Sequence, residues 1–264
     1  MEAYDFEYDG IALSDMGYIL CQFDSGGLQT LSNGSAITFD LVSTLSGAKQ
    51  ELTGASYSEC LTATLQICKD PSTHDDLSLT TEDIRDLTSW LNRKEFHKFK
   101  LLDDEYFDFY FEASFNISRL EVSGRVCGLE LEMITNRPFA LREPKFVTIR
   151  NEKANGSVVI YNASDEEGHL YPHMEITVKK DGDLEIINDR DDTVMHIGGC
   201  SAGEVITLDY PLIQTSLSSH KIENDFNWSF FRLASSFKNK KNTLTISLPC
   251  DIKISYSPIA KIGI

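Results

Sequence analysis

The stretch Tyr106-Phe107-Asp108-Phe109-Tyr110-Phe111-Glu112-Ala113-Ser114-Phe115 decides the fold class. Aromatic side chains alternate with smaller or acidic ones, and the residue types are those that fit a pleated, half-buried surface. Working outward, Leu120 to Ile134 alternates again, with Val126, Leu129, Leu131 and Met133 set against Glu130 and Glu132. Gly124 and Gly128 read as bulges within it. Upstream, Phe96-His97-Lys98-Phe99-Lys100-Leu101 and Leu61 to Cys68 carry the same period of two. So does Tyr4-Asp5-Phe6-Glu7-Tyr8, followed by Asp9-Gly10, a dipeptide suited to a tight hairpin because both residues tolerate positive φ. The chain is read as mainly β.

One helix interrupts the strands. Thr80 or Thr81 can cap it, and Asp83 completes an approximate capping box with Thr80. Ile84, Leu87 and Leu91 fall on one face, with Trp90 beside them on the core side. Glu82, Asp83 and Asp86 near its start and Arg93-Lys94 at its end suit the helix dipole. Asn33 to Gly54 is rich in Ser, Thr and Gly around the apolar run Ile37 to Val42, and reads as a long loop or extended hairpin.

The second half is almost helix-free. Strands are expected at 156–161, 172–178, 183–187, 204–209, 243–248 and 252–256, with turn signals every eight to twelve residues. That spacing indicates a β-sandwich. A polar loop is expected from Asn162 to His169.

Of the 264 residues, 41% are apolar and 25% charged, which excludes a disordered or fibrous chain. With 41 acidic against 24 basic residues the net charge is −17, the wrong sign for gripping a nucleic-acid backbone. Residues 1–140 hold 24 acids and 10 bases, and residues 141–264 hold 17 and 14, so most of the excess sits in the first half. No apolar run approaches the ~18 residues of a membrane span, and the acidic N-terminus Met1-Glu2-Ala3-Tyr4-Asp5 is unlike a secretory leader.

A search for chemistry finds no catalytic, cofactor-binding or metal-ligating residues. Gly26-Gly27 and Gly198-Gly199 match no phosphate-binding spacing, and no nucleophile elbow occurs. His169 and His173 are four apart, but Gly168 and Pro172 place them in a loop rather than on a helix. Asp181, Asp183, Asp189, Asp191 and Asp192 read as solvated hairpin acids. Cys21, Cys60, Cys68, Cys127, Cys200 and Cys250 form no Cys-x-x-Cys pair, and read as reduced, mostly buried side chains, with Cys60 and Cys68 on one strand face. Trp228, within Phe226-Asn227-Trp228-Ser229-Phe230-Phe231, reads as core. Five Asn-x-Ser triplets, at Asn33, Asn116, Asn155, Asn162 and Asn227, are taken as chance.

Several segments, in their order, resemble the phage distal tail (Dit) family, the hub of siphovirus tail tips. Phe6-Glu7-Tyr8-Asp9-Gly10-Ile11 with Ser14-Asp15-Met16-Gly17 is similar to that family's opening hairpin. Ile84-Arg85-Asp86-Leu87-Thr88-Ser89-Trp90-Leu91 is similar to its helix, and Gly124 to Ile134 leads to Pro138-Phe139-Ala140 in the same order. Pro172 to Ile176, Gly182 to Ile186, Gly203 to Asp209, Asn242 to Ile246 and Ile254 to Pro258 resemble its C-terminal sandwich.

The resemblance implies two β-sandwich domains: residues 1–140, tail-tube-like and ring-forming, with one α-helix and a long extension near 33–54, and residues 141–264, galectin-like. It implies a homo-hexamer, as one ring or stacked rings, in the virion tail tip after assembly in the host cytoplasm. Its partners would be the tail tube or tail terminal proteins, the tail-associated lysin or fibre hub, and receptor-binding proteins. DNA would pass through without specific binding, and no membrane is entered. The Ile37 to Val42 run is then the candidate overlap between subunits. Two other classes compete: a carbohydrate-binding β-sandwich module for host-surface adhesion, which an ordered set of sugar-site residues would favour, and an enzyme, which a nucleophile–base pair would favour. Neither signature is found.

Overall fold

A computed structural model describes residues 5–23, 34–44, 47 and 49–263. The chain divides into two compact units, Met1–Arg142 with Lys261–Ile264, and Glu143–Ala260.

The strands of the first unit are β1 (Phe6–Tyr8), β2 (Ile11–Ala12), β3 (Tyr18–Cys21), β4 (Ile37–Ser43), β5 (Gln50–Tyr57), β6 (Thr62–Lys69), β7 (His97–Leu101), β8 (Phe109–Val122), β9 (Arg125–Thr135) and β10 (Ala140–Arg142), with helix α1 (Thr81–Leu91) between β6 and β7. Seven strands form one antiparallel sheet in the order β2-β1-β7-β8-β9-β6-β3, β10 adds to β8, and among the described residues β4 and β5 pair only with each other. Asp9 and Gly10 join β1 to β2 with φ of 52° and 79°, the mirror-image turn their residue types favour.

Ser123 and Gly124 repeat that turn between β8 and β9. The alternating run 120–134 is therefore the end of one strand and all but the last residue of the next, and Gly124 is a turn residue rather than a bulge. The irregularity falls beside Gly128, where Cys127 is the extra residue opposite Leu120 and Glu121.

Phe6, Tyr8, Trp90, Phe99 and Phe115 make the centre of this core, with Phe6–Phe99 and Tyr8–Phe115 centroids each 5.2 Å apart. Trp90 lies on the buried face of α1 and donates its indole N–H to the Tyr8 carbonyl at 3.3 Å. Thr80 is the N-cap. Its hydroxyl accepts from the Asp83 N–H at 3.2 Å and its own N–H donates to Asp83 Oδ2 at 2.8 Å. Asp83 also meets Lys69 Nζ at 2.8 Å. Burial would raise the Asp83 carboxyl, but the hydrogen bonds from Lys69 and Thr80 outweigh it and hold it at about 2. Arg93 and Lys94 lie just beyond the helix, which ends at Leu91; Arg93 Nε donates back to the Trp90 carbonyl of its last turn at 2.9 Å, and the same guanidinium reaches Asp9 at 2.7 Å. Thr80→Ala is expected to destabilise the first unit by about 1 kcal/mol, seen as a lower urea midpoint with an unchanged slope. An unchanged midpoint would show that the box contributes nothing.

The second unit contains β11 (Lys145–Asn151), β12 (Gly156–Tyr161), β13 (Gly168–Leu170), β14 (His173–Val178), β15 (Gly182–Asn188), β16 (Thr193–Cys200), β17 (Val205–Asp209), β18 (Leu212–Thr215), the short helix α2 (Ile222–Asp225), β19 (Leu233–Ser235), β20 (Lys241–Ile246), β21 (Cys250–Tyr256) and β22 (Ile259–Ala260). One sheet runs β11-β21-β14-β17-β18, the other β12-β20-β15-β16, and β13 pairs with β19. Alternate residues of each sheet enter a shared core: Met174, Ile176, Ile206 and Ile252 from the first, Leu184, Ile186, Met195, Leu244 and Ile246 from the second. The six expected strands are present. β11, β13, β16, β18, β19 and β22 are additions, β13 beginning within the expected polar loop.

Candidate assembly and binding surfaces

Two surfaces carry side chains that the fold leaves unsatisfied. The first is the β4–β5 hairpin. All seven residues of β4 are exposed, which no core strand would be. Opposite residues share a face, so Phe39 faces Ala55 and Leu41 faces Leu52. The irregularity at Asp40/Leu41 leaves Thr53 as the extra residue in β5, and its hydroxyl donates to the Asp40 carbonyl at 3.0 Å. Ile37, Phe39, Leu41 and Leu52 thereby line one face, each about half exposed. Thr38, Asp40, Glu51 and Ser56 lie on the other, together with one apolar side chain, Val42, which pairs with Glu51. One face of the hairpin is the more apolar, and among the described residues nothing covers it.

Among the described residues its root is the part held to the rest of the unit. Ser35 donates its N–H to the Pro138 carbonyl at 3.3 Å, and Tyr57 meets the Phe139 ring edge-on at 5.1 Å. Gly34, with φ 142°, sits where a Cβ would enter the Phe139 ring. An isolated two-stranded ribbon has marginal stability in water, and its outer edges offer unpaired backbone groups to another chain.

The second surface is a cavity of about 510 Å³ in the second unit. Its walls include Tyr171, Tyr210, Trp228 and Phe230, and its polar lining includes Asp191 and Arg232. Tyr171 and Tyr210 stack at 4.1 Å with their planes 15° apart. Arg232 Nε donates to Asp191 Oδ2 at 2.6 Å. Burial would raise the Asp191 carboxyl, but the Arg232 guanidinium and the Thr193 N–H outweigh it and hold it below the usual carboxylate range. His169 Nε2 also meets Asp191, at 3.2 Å.

Buried amides set this wall in place. Asn188 Nδ2 donates to the Arg232 carbonyl and to Asn242 Oδ1, and Asn242 exchanges two hydrogen bonds with Ala234. Asn227 anchors the neighbouring loop to β16 through the His196 N–H and the Val194 carbonyl. The next residue, Trp228, takes φ 57° and is 58% exposed. The expectation that Trp228 belongs to the core is thus corrected. Its loop is held by hydrogen bonds of Asn227, and those turn the indole outward.

Other expected features are placed as follows. His169 lies on β13 and His173 starts β14, so they occupy strands rather than a loop. Asp181 accepts from the Ala202 N–H and Asp183 from the Gly199 N–H. Among the described residues no group of three or more His, Cys, Asp and Glu is placed to hold a metal ion. All six cysteines are free thiols, but only Cys200 and Cys250 are buried. Cys60 precedes β6 and is exposed, so it shares no strand face with Cys68. Cys68 lies instead beside Cys21, and burial, then the Cys68 thiol, push the Cys21 thiol far up. Asn162 is buried and donates to the Leu233 carbonyl. Among the described residues no helix is long and apolar enough to cross a membrane.

Residues 1–137 match the model of the phage tail protein N-terminal domain, and residues 139–256 that of the phage tail C-terminal domain. The chain belongs to this phage tail protein family. The tail protein has the fold of the Dit protein of phage SPP1, described as a paradigm of the hub adsorption apparatus in phages that infect Gram-positive hosts. The two are 13% identical, with a TM-score of 0.66 over 97% of this chain and 99% of that one. No curated protein matches. In this tail protein the apolar hairpin belongs to the N-terminal domain and the aromatic cavity to the C-terminal domain.

Proposed function

We propose that this tail protein is a hexameric distal tail hub. It joins the tail tube to the tail-tip lysin or fibre and to receptor-binding proteins, and the genome passes through its central channel. The observation that carries this reading is the β4–β5 hairpin, held at its root and, among the described residues, uncovered along its apolar face. The SPP1 Dit fold, shared across nearly the whole chain, supports it.

A heterologous contact closes into a ring when its rotation fits. Laying the hairpin on the adjacent copy removes the exposed parts of Ile37, Phe39, Leu41 and Leu52 from water, a gain on the order of 1 kcal/mol for each half-exposed side chain. The same contact repeats six times. It works against the charge of residues 1–140, net −14 per copy. Around a conduit for DNA that charge has a use: like charge keeps the polyanion from adsorbing to the wall, within a screening length of about 8 Å at physiological salt.

Size exclusion with light scattering tests the assembly. Six copies of the 29.7 kDa chain should give a particle of about 178 kDa, more persistent at higher salt because screening relieves the acidic repulsion. A chain that stays monomeric at every concentration and salt refutes the ring. A ring whose lumen is basic refutes the conduit.

A further inference from the structure

We propose that the C-terminal domain binds a neutral saccharide in the open cavity lined by Tyr171, Tyr210, Trp228 and Phe230 together with the Asp191–Arg232 pair. A sugar ring has two kinds of surface. Its faces present C–H groups, and its edges present hydroxyls that both donate and accept. An aromatic face carries negative charge density and attracts the slightly positive C–H groups laid on it. A carboxylate paired with a guanidinium offers acceptors and planar donors side by side, which suits neighbouring hydroxyls. The cavity brings both kinds of partner together.

The aromatic side is costly without an occupant. Tyr210 is 54% exposed and Trp228 58%, while Phe230 is buried behind Tyr210 with centroids 5.3 Å apart. The other tryptophan of the chain, Trp90, is buried in the N-terminal domain, so exposure is not the general fate of indoles here. Trp228 is also held at a left-handed φ that large side chains rarely adopt, in a loop that Asn227 ties down at three points: the His196 N–H, the Val194 carbonyl and the Ser229 N–H. Backbone conformations of this kind persist where surrounding contacts enforce them and cluster at binding sites. Asp192, at φ 54°, lines the same cavity.

Size and charge narrow the ligand class. About 510 Å³ falls within the range of small-molecule pockets and admits one or two sugar rings. The lining holds two carboxylates, Asp191 and Asp192, against one guanidinium, Arg232, so an anionic ligand meets excess like charge. A quaternary ammonium would need an aromatic cage without a competing cation, and Arg232 is part of this lining. A neutral polyol meets neither objection.

The test uses the full chain and a panel of neutral probes: glucose, galactose, rhamnose, N-acetylglucosamine and their short homo-oligosaccharides, each to about 50 mM, with choline and phosphate as charged comparators. Calorimetry is expected to give a saturable signal for at least one neutral saccharide, with a matching shift of tryptophan emission from the exposed Trp228. Trp228→Ala and Tyr210→Ala should each weaken that binding about tenfold or more, and Trp228→Phe should recover part of it, with melting temperatures unchanged. Oligosaccharide binding much tighter than that of its monomer identifies a polymer as the source, and equal affinities a free sugar. Binding of choline or phosphate alone, no saturable neutral probe, or unaltered affinity in both alanine variants overturns the proposal. The site lies within one domain of one copy, so its outcome is independent of whether the hexamer forms.

Discussion

A chain carrying Phe39→Asp and Leu41→Asp is expected to elute as a 29.7 kDa monomer under conditions in which the unaltered chain forms the six-fold particle. Both side chains lie on the uncovered face of the β4–β5 hairpin and are more than half exposed, so neither supports the core. Surface substitutions of this kind shift folding stability by about 0.5 kcal/mol or less. Assembly responds differently. Each copy loses two apolar contacts and must instead desolvate two carboxylates at an interface that is already acidic, and the penalty recurs at all six contacts. Thr38→Asp on the opposite face adds the same charge without entering the apolar surface, and should leave the particle largely intact. Rings that persist in the double variant would show that the hairpin is not the overlapping element. Loss of the ring in Thr38→Asp as well would show that added charge alone dissolves it.

How much of this was legible depends on how local the signal is. Helix α1 could be read because its cap, its apolar face and Trp90 all lie within a dozen residues. β12, β14, β15, β17, β20 and β21 could be read because burial alternates along each of them. β11 hid because it is an edge strand whose Phe146 points into solvent at 80% exposure and whose burial is limited to Ile149 and Asn151. β16 hid because Gly198-Gly199 interrupts a strand that still buries Met195, Ile197 and Cys200. Trp228 was misread for a different reason. Phe226-Asn227-Trp228-Ser229-Phe230-Phe231 is apolar enough for a core segment, and Phe226, Phe230 and Phe231 are indeed buried. Trp228 turns outward because Asn227 bonds to β16, more than thirty residues earlier in the chain. The Asp191–Arg232 pair spans 41 residues and is equally invisible to periodicity. The hairpin was legible as an apolar run at 37–42, but that its face stays uncovered is a property of the folded chain.

Glu204→Ala should be the most damaging single change in the second unit, lowering its stability by about 3–5 kcal/mol. Glu204 is fully buried just ahead of β17, with the carboxylate enclosed by the Ser201 N–H at 2.9 Å, His220 Nδ1 at 2.6 Å and the Thr215 hydroxyl. Alanine would leave these three groups facing a void with no acceptor, and groups that have lost a buried partner are destabilising beyond the mean value of a hydrogen bond. The same site sets a pH response. Burial would raise the Glu204 carboxyl, but hydrogen bonds from Thr215 and Ser201, then the His220 contact, outweigh it and hold it below its ordinary value. A carboxyl depressed in the folded state contributes stability that is fully present above its unfolded value, near 4.5, and that is lost as pH falls through the lower folded value. Glu204→Gln keeps the size and one acceptor but cannot ionise. Urea unfolding followed by circular dichroism should therefore show Glu204→Gln less stable than the parent at pH 7 and converging with it as the pH drops below about 4. Parallel stability curves for the two across that range would mean that Glu204 is held by shape alone, with its charge contributing nothing to the fold.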